Sequence, residues 1–196
     1  MSSLSGILSV HDAFATEETF PSLNPHKLAL GDVEERRIKS YFPSYYQPIL
    51  YDGIKLVLQT PAVEISGLVY HHYSTGDAIL IPVSSWLRQQ FNIIDDFIRE
   101  TVVIPPKLLL KRRKRPSYYK PICRDDPLYL IMSPSCCMTQ DDDMTDIPMK
   151  IRPALSEGLC SLTLTFEHVY IGLHHQGYLY STNFRVTHIH FKPKPS

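Results

Sequence analysis

Glycine is scarce in this chain, 8 in 196 residues. Proteins that wrap backbone around phosphates place glycines at tight turns and close approaches, and no Gly-rich cradle ending in Lys-Ser/Thr is present. Net charge is absent: Lys+Arg 20 balance Asp+Glu 20. Bulk charge therefore selects neither nucleic acid nor a membrane, and only local clustering can. The four cysteines, Cys123, Cys136, Cys137 and Cys160, form no C-x-x-C pair. An adjacent Cys136–Cys137 pair suits neither a zinc site nor a disulfide framework, so reduced, buried thiols are expected. No apolar run approaches the roughly 20 residues of a spanning helix. The opening "MSSLSGILSVHDAF" lacks the cationic start and long apolar stretch of a secretory signal. There is no G-x-S-x-G, no H-E-x-x-H and no EF-hand loop. The expectation is a soluble, non-enzymatic intracellular protein that binds no metal, cofactor or membrane.

Proline (16) and tyrosine (12) are plentiful, which favours short strands and ordered loops over a helical bundle. Residues 1–38 mix charges and prolines without a sustained period and read as a leader that packs loosely or stays flexible. From 39 to 196 the texture is that of one mostly β domain. "YYQPILYDGIKLVLQT" reads as strands around an Asp52-Gly53 turn, stopped by Pro61. "ISGLVYHHYS", "AILIPVS" and "LYLIM" are further strands. "TQDDDMTDIP" reads as an acidic loop over 140–147. At the end, "LTLTFEHVYI" alternates, "HHQG" supplies a turn, and "NFRVTHIHF" sets Phe184, Val186, His188 and His190 against Arg185, Thr187, Ile189 and Phe191. One segment breaks the β pattern. Leu87, Phe91, Ile94 and Ile98 form one apolar stripe, with Ser84 or Ser85 placed to cap it, which predicts an amphipathic helix over about 84–101. Gln89, Gln90, Asp95, Asp96 and Arg99 fall on its other faces. The fold class is thus mostly β, an OB-like barrel or a small β-sandwich, with one inserted helix.

Paired histidines invite a metal or phosphate reading, above all His188 and His190, which stand two apart on one strand face. No carboxylate or cysteine stands at a complementary spacing, so sheet-surface or hydrogen-bonded histidines are the simpler account. A His-dependent phosphoesterase would need a second H-x-[ST], of which "HHYS" is only a loose echo. Asp141, Asp142, Asp143 and Asp146 suit a polar loop better than a Mg²⁺ site. The segment "LLLKRRKRPSYYKP" differs in kind. Lys111, Arg112, Arg113, Lys114 and Arg115 repel one another unless an anion is near, and a nucleic-acid backbone supplies that anion. Tyr118 and Tyr119, with Lys120 behind them, add rings on which unpaired bases stack. Tyr45, Tyr46 and Tyr51 form a second aromatic cluster that, across a barrel face from the basic loop, would extend such a platform, although core burial is the simpler role for at least one of them. A nuclear-import signal, which "KRRKR" matches, and a plain solvated loop over 111–120 compete with binding.

"YDGIKLVLQTPAVEISGLVY", "RPSYYKPICRDDPLYLIM" and the closing "FEHVYIGLHHQGYLYSTNFRVTHIHFKP" together resemble the single-stranded DNA-binding proteins of large DNA viruses, related to the OB-fold proteins of short-tailed phages. The resemblance spans roughly residues 41–193. It implies an OB-type barrel coating single-stranded DNA exposed during viral replication. The Gln59-Thr60-Pro61 corner would be structural, and Lys111 to Arg115 with Tyr118, Tyr119 and Lys120 would lie along the strand groove. Relatives of the phage type end in an acidic tail that recruits replication proteins, whereas this chain stops at the basic "FKPKPS". Single-stranded DNA, with RNA open to the same contacts, is the expected partner; replication proteins and self-association stay open. The expected location is the host nucleus rather than the cytoplasm. The alternative is a viral structural or host-interaction β-sandwich whose basic run serves import or docking.

Overall fold

The alternating run at the end of the chain becomes a hairpin of two 17-residue strands, and most of the sheet is built on it. A computed structural model describes residues 7–8, 14–15, 17–36, 43–65, 70–73, 76–104, 117–123, 127–140, 143–148, 157–174 and 177–194. Along these the strands are β1 (Ile7–Leu8), β2 (Leu28–Leu30), β3 (Glu34–Arg36), β4 (Ser44–Gln47), β5 (Ile49–Tyr51), β6 (Ile54–Lys55), β7 (Val57–Gln59), β8 (Val63–Ile65), β9 (Tyr70–Tyr73) and β10 (Gly76–Ile81). The helix α1 (Ser85–Thr101) follows, then β11 (Ser117–Lys120), β12 (Leu128–Gln140), β13 (Asp143–Pro148), β14 (Gly158–His174) and β15 (Gly177–Pro193).

Strands β14 and β15 pair antiparallel from Gly158↔Pro193 to His174↔Gly177. The other edge of β14 takes β8, β7 and β4 in series, all antiparallel. The other edge of β15 takes β11 and then β12, both parallel. Beyond these lie β3 on β4, β1 on β7, β13 and β10 on β12, and β9 on β10. Strands β2, β5 and β6 make a separate three-stranded sheet. Its β5–β6 turn is the expected one: Asp52 and Gly53 have φ of 51° and 80°, the left-handed pair of a tight hairpin. Among the described residues the strand path runs open from β1 to β9. These strands therefore make a mostly β domain of sheets with one inserted helix, and the closed barrel of the OB-like expectation is not formed by them. The segment expected as an acidic loop is largely strand β13, paired back on β12 with Gln140 opposite Asp143; Asp141 and Asp142 lie outside the described residues.

Two bulges decide which way the hairpin's side chains point. Thr163 pairs with His188 but Leu164 with Val186, so Thr187 is an extra residue on β15. Phe166 pairs with Phe184 and His168 with Asn183, so Glu167 is extra on β14. A bulge adds one residue and re-aims the side chains beyond it. Val186 and Ile189, three apart, are therefore both fully buried, as are Phe166 and Val169. This corrects the simple alternation: His188 and His190 do not share a face with Val186 but lie on the opposite one.

The inner face of the hairpin, with Leu162, Leu164, Phe166, Val169, Ile171, Val186, Ile189 and Phe191, is buried. The helix packs on it, Phe91 standing 5.6 Å from Phe184 and 6.5 Å from Phe166 between ring centroids. Its stripe is the predicted one: Leu87, Phe91, Ile94 and Ile98 are buried, each contributing about 1.5–3 kcal/mol on leaving water. Ser84 is the N-cap, its Oγ accepting from the Leu87 N–H at 3.2 Å. Gln90 and Asp95, placed by periodicity on polar faces, are buried instead. Gln90 Oε1 accepts from the Leu23 N–H at 2.7 Å, tying residues 20–24 to the helix. Phe20, Leu23 and Leu28 join the core there, so this part of the expected leader is packed.

Candidate nucleic-acid interface

Strand register carries side chains from five strands onto one outer face, opposite the helix. Glu34 of β3 pairs with Tyr46 of β4, Tyr46 with Tyr170 of β14, Tyr170 with Ser181 of β15, and Ser181 with Lys120 of β11. Directly opposed residues share a face, so these five stand in one row. Alternation adds Arg36, Ser44, His168, Asn183, Leu179 and Tyr118 to the same side. The intervening residues point inward: Tyr45 is buried, and Tyr119 packs on Tyr180 at 5.0 Å.

The outer rings form a joined cluster. Tyr46 lies edge-on to His168 at 4.8 Å and to Tyr170 at 5.5 Å. The Arg36 guanidinium sits 4.6 Å over the Tyr46 ring and is held by two 2.9 Å bonds to Glu34. Burial, the main cause, holds the His168 imidazole below its ordinary pKa; Glu167 opposes this and Arg36 and Lys55 reinforce it. His168 thus behaves as a neutral ring at neutral pH. Tyr118, 45% exposed, and the exposed Lys120 complete the face on β11.

Tyr170 owes its position to Gly172. A Cβ at 172 would lie 2.1 Å from Tyr170 Oη, so the ring occupies space that any other residue would claim, and its hydroxyl meets Ser44 Oγ at 3.2 Å. Gly172→Ala is expected to expel the ring, break that hydrogen bond and destabilise the protein by about 1–3 kcal/mol in denaturant unfolding.

Tyr119 is a strut. Its hydroxyl donates to Asp95 on α1 and lies 3.3 Å from Thr182 Oγ1, while the Arg99 guanidinium covers its ring at 5.2 Å. Burial, then the Asp95 carboxylate, push its pKa up, so the hydroxyl remains a donor. By fixing Tyr119 inward, the helix turns its neighbours Tyr118 and Lys120 outward.

Of the residues singled out from sequence, Tyr46, Tyr118 and Lys120 therefore meet on the outer face, and Tyr45 and Tyr119 lie on the inner one. Lys111, Arg112, Arg113, Lys114 and Arg115 lie outside the described residues. Arg36, His168 and Tyr170 were missed: Arg36 sits in the expected leader, and the Glu167 bulge sets the facing of the other two. At the corner, Thr60 N bonds to Leu162 O at 2.8 Å and Ser161 Oγ donates to Thr60 O at 2.6 Å.

All four cysteines are free thiols, and burial is the main cause that pushes Cys136 and Cys160 up to about 12. No group of three or more His, Cys, Asp or Glu among the described residues is placed to hold a metal ion, and no helix among them is long and apolar enough to cross a membrane. Compared with protein-family models, curated proteins and solved structures, the chain matches none.

Proposed function

We propose that the outer face binds single-stranded nucleic acid, by base stacking on its rings and phosphate neutralisation by its cations. One observation carries the reading: Tyr46, Tyr118, Tyr170 and His168 share a face with Arg36 and Lys120. Ring faces hold unpaired bases at about 1–3 kcal/mol each, whatever the base. Duplex bases are already stacked, so the face suits single strands. The run Lys111 to Arg115 ends two residues before β11 in sequence and adds five charges toward the same polymer. On the resemblance to viral single-stranded DNA-binding proteins, the polymer is DNA exposed during viral replication in the host nucleus. OB-type closure of the sheet belongs to that resemblance, and the contacts proposed here do not require it.

Fluorescence anisotropy with oligothymidylate and with duplex, each at two salt concentrations, tests the proposal. Expected is single-strand binding that weakens steeply with salt, the slope of log K against log salt being about −0.7 per neutralised phosphate. Neutralising Lys111 to Arg115 should flatten that slope. Absence of binding at low salt would overturn the proposal. If the same variant then only changed location in cells, import or docking would be the better account of the basic run.

A further inference from the structure

We infer that the bound strand runs lengthwise along the β14–β15 hairpin, its phosphates following a column of basic side chains on β15: Arg185, His188, His190 and Lys192. The inference rests on the proposed binding role of the outer face and adds the path and footprint of the polymer.

The Thr187 bulge is what makes the column. Asn183 and Arg185 face outward by alternation from Ser181. Unbroken alternation would then turn His188 and His190 into the core, and the extra residue keeps them outside. The imidazoles are held as a pair. Their ring centroids are 4.4 Å apart, and Thr139 Oγ1 lies 3.1 Å from His188 Nε2 and 3.0 Å from His190 Nδ1. A hydroxyl has one proton and two lone pairs, so Thr139 bonds both rings at once and fixes their orientation whichever way the proton lies. The residues registered beside the pair are Thr163 and Ser161 on β14 and Cys137 and Thr139 on β12, none of them a carboxylate. Arg185 is 3.7 Å from the Glu167 carboxylate, and both side chains are part-exposed.

Both ends of the path are marked. At one end stand the rings of Tyr118, Tyr46 and Tyr170. At the other, Lys192 lies with its ammonium 5.8 Å from the Phe14 ring, beside a cleft of about 530 Å³ whose lining includes Glu64 and Glu157. The same lining pairs those carboxylates with Lys192 and Lys194, and β15 ends beside it at Pro193, which bounds the track. From Ser181 to Lys192 a strand covers roughly 35 Å at about 3.3 Å per residue. An extended single strand, at roughly twice the 3.4 Å rise of a duplex strand, fills that with about five or six nucleotides. This falls within the roughly 4–16 nucleotides of single-strand sites of comparable size.

Anisotropy titrations at low salt with labelled oligothymidylates of 3 to 12 nucleotides decide it. Affinity should climb steeply up to about six nucleotides and level off beyond. The surface variant His190→Gln/Lys192→Gln should weaken an 8-mer about tenfold and reduce its salt slope by about 0.7, the share of one phosphate. It should leave a 3-mer unchanged, whereas Tyr118→Ala should weaken both. If 3-mer and 8-mer bind alike, or the double variant binds the 8-mer as wild type while Tyr118→Ala is impaired, the strand crosses the sheet and the path is wrong, though the face still binds. If no length binds at all, the reading of the face falls and the path with it.

Discussion

Asp95→Ala is expected to lower stability by about 2–4 kcal/mol, a large effect for a polar residue on a helix. Asp95 is buried between the helix and the start of the segment after β11. Its carboxylate accepts from the Ile122 N–H at 3.2 Å and 3.3 Å and from the Tyr119 hydroxyl. Alanine would strand both donors away from water, and a stranded buried group costs about 1–3 kcal/mol; Tyr119 keeps only its contact with Thr182. Asp95→Asn retains an acceptor oxygen and should cost about 1 kcal/mol. The pH dependence separates the two roles of the carboxylate. Burial raises the Asp95 pKa, outweighing the opposing bonds from Tyr119 and Ile122. Its contribution is therefore fully present below the ordinary carboxylate pKa of about 4 and is lost as pH rises through the raised value. Urea unfolding across that window should show a downward slope in wild type that the Asn variant lacks. Because Asp95 also fixes Tyr119, and Tyr119 fixes which way β11 faces, the Ala variant should lose oligonucleotide affinity along with stability.

That double consequence shows where sequence reading of this chain succeeds and where it stops. The helix was legible because one stripe, Leu87, Phe91, Ile94 and Ile98, has a single solution at 3.6 residues per turn, and Asp52-Gly53 was legible because few residues tolerate positive φ in succession. Gln90 and Asp95 were not, because their partners lie 67 and 27 residues away along the chain. A polar residue on a helix looks solvated until its distant donors are known. The strand β13 was hidden by its acidic composition, although Ile147 and Met138 pair across it. The proposed interface was half legible for a similar reason. Alternation separates Tyr45 from Tyr46 and Tyr118 from Tyr119, but which member faces outward depends on register with β14 and β15. The bulges at Glu167 and Thr187 have no marker in composition, and they set the direction of His168, Tyr170, His188 and His190.

The largest loss expected from one side chain in the core is at Phe166, immediately before the first of those bulges. Phe166 is fully buried, stacks on Phe184 at 5.0 Å and 20° between planes, and meets Phe91 of α1. Its N–H donates to Leu56 O at 3.0 Å, joining β14 to the break between β6 and β7. Phe166→Ala removes the ring that fills the space between hairpin and helix, and large-to-small changes at such sites cost about 3–5 kcal/mol. Phe166→Leu keeps most of the volume and should cost less than about 1.5 kcal/mol. Tyr118→Ala, on the exposed side, should stay within about 0.5 kcal/mol. Denaturant midpoints for the three variants check the ranking. Equal losses for Phe166→Ala and Tyr118→Ala would mean that the inner and outer faces are misassigned, because in this sheet burial and exposure are alternatives set by the same register.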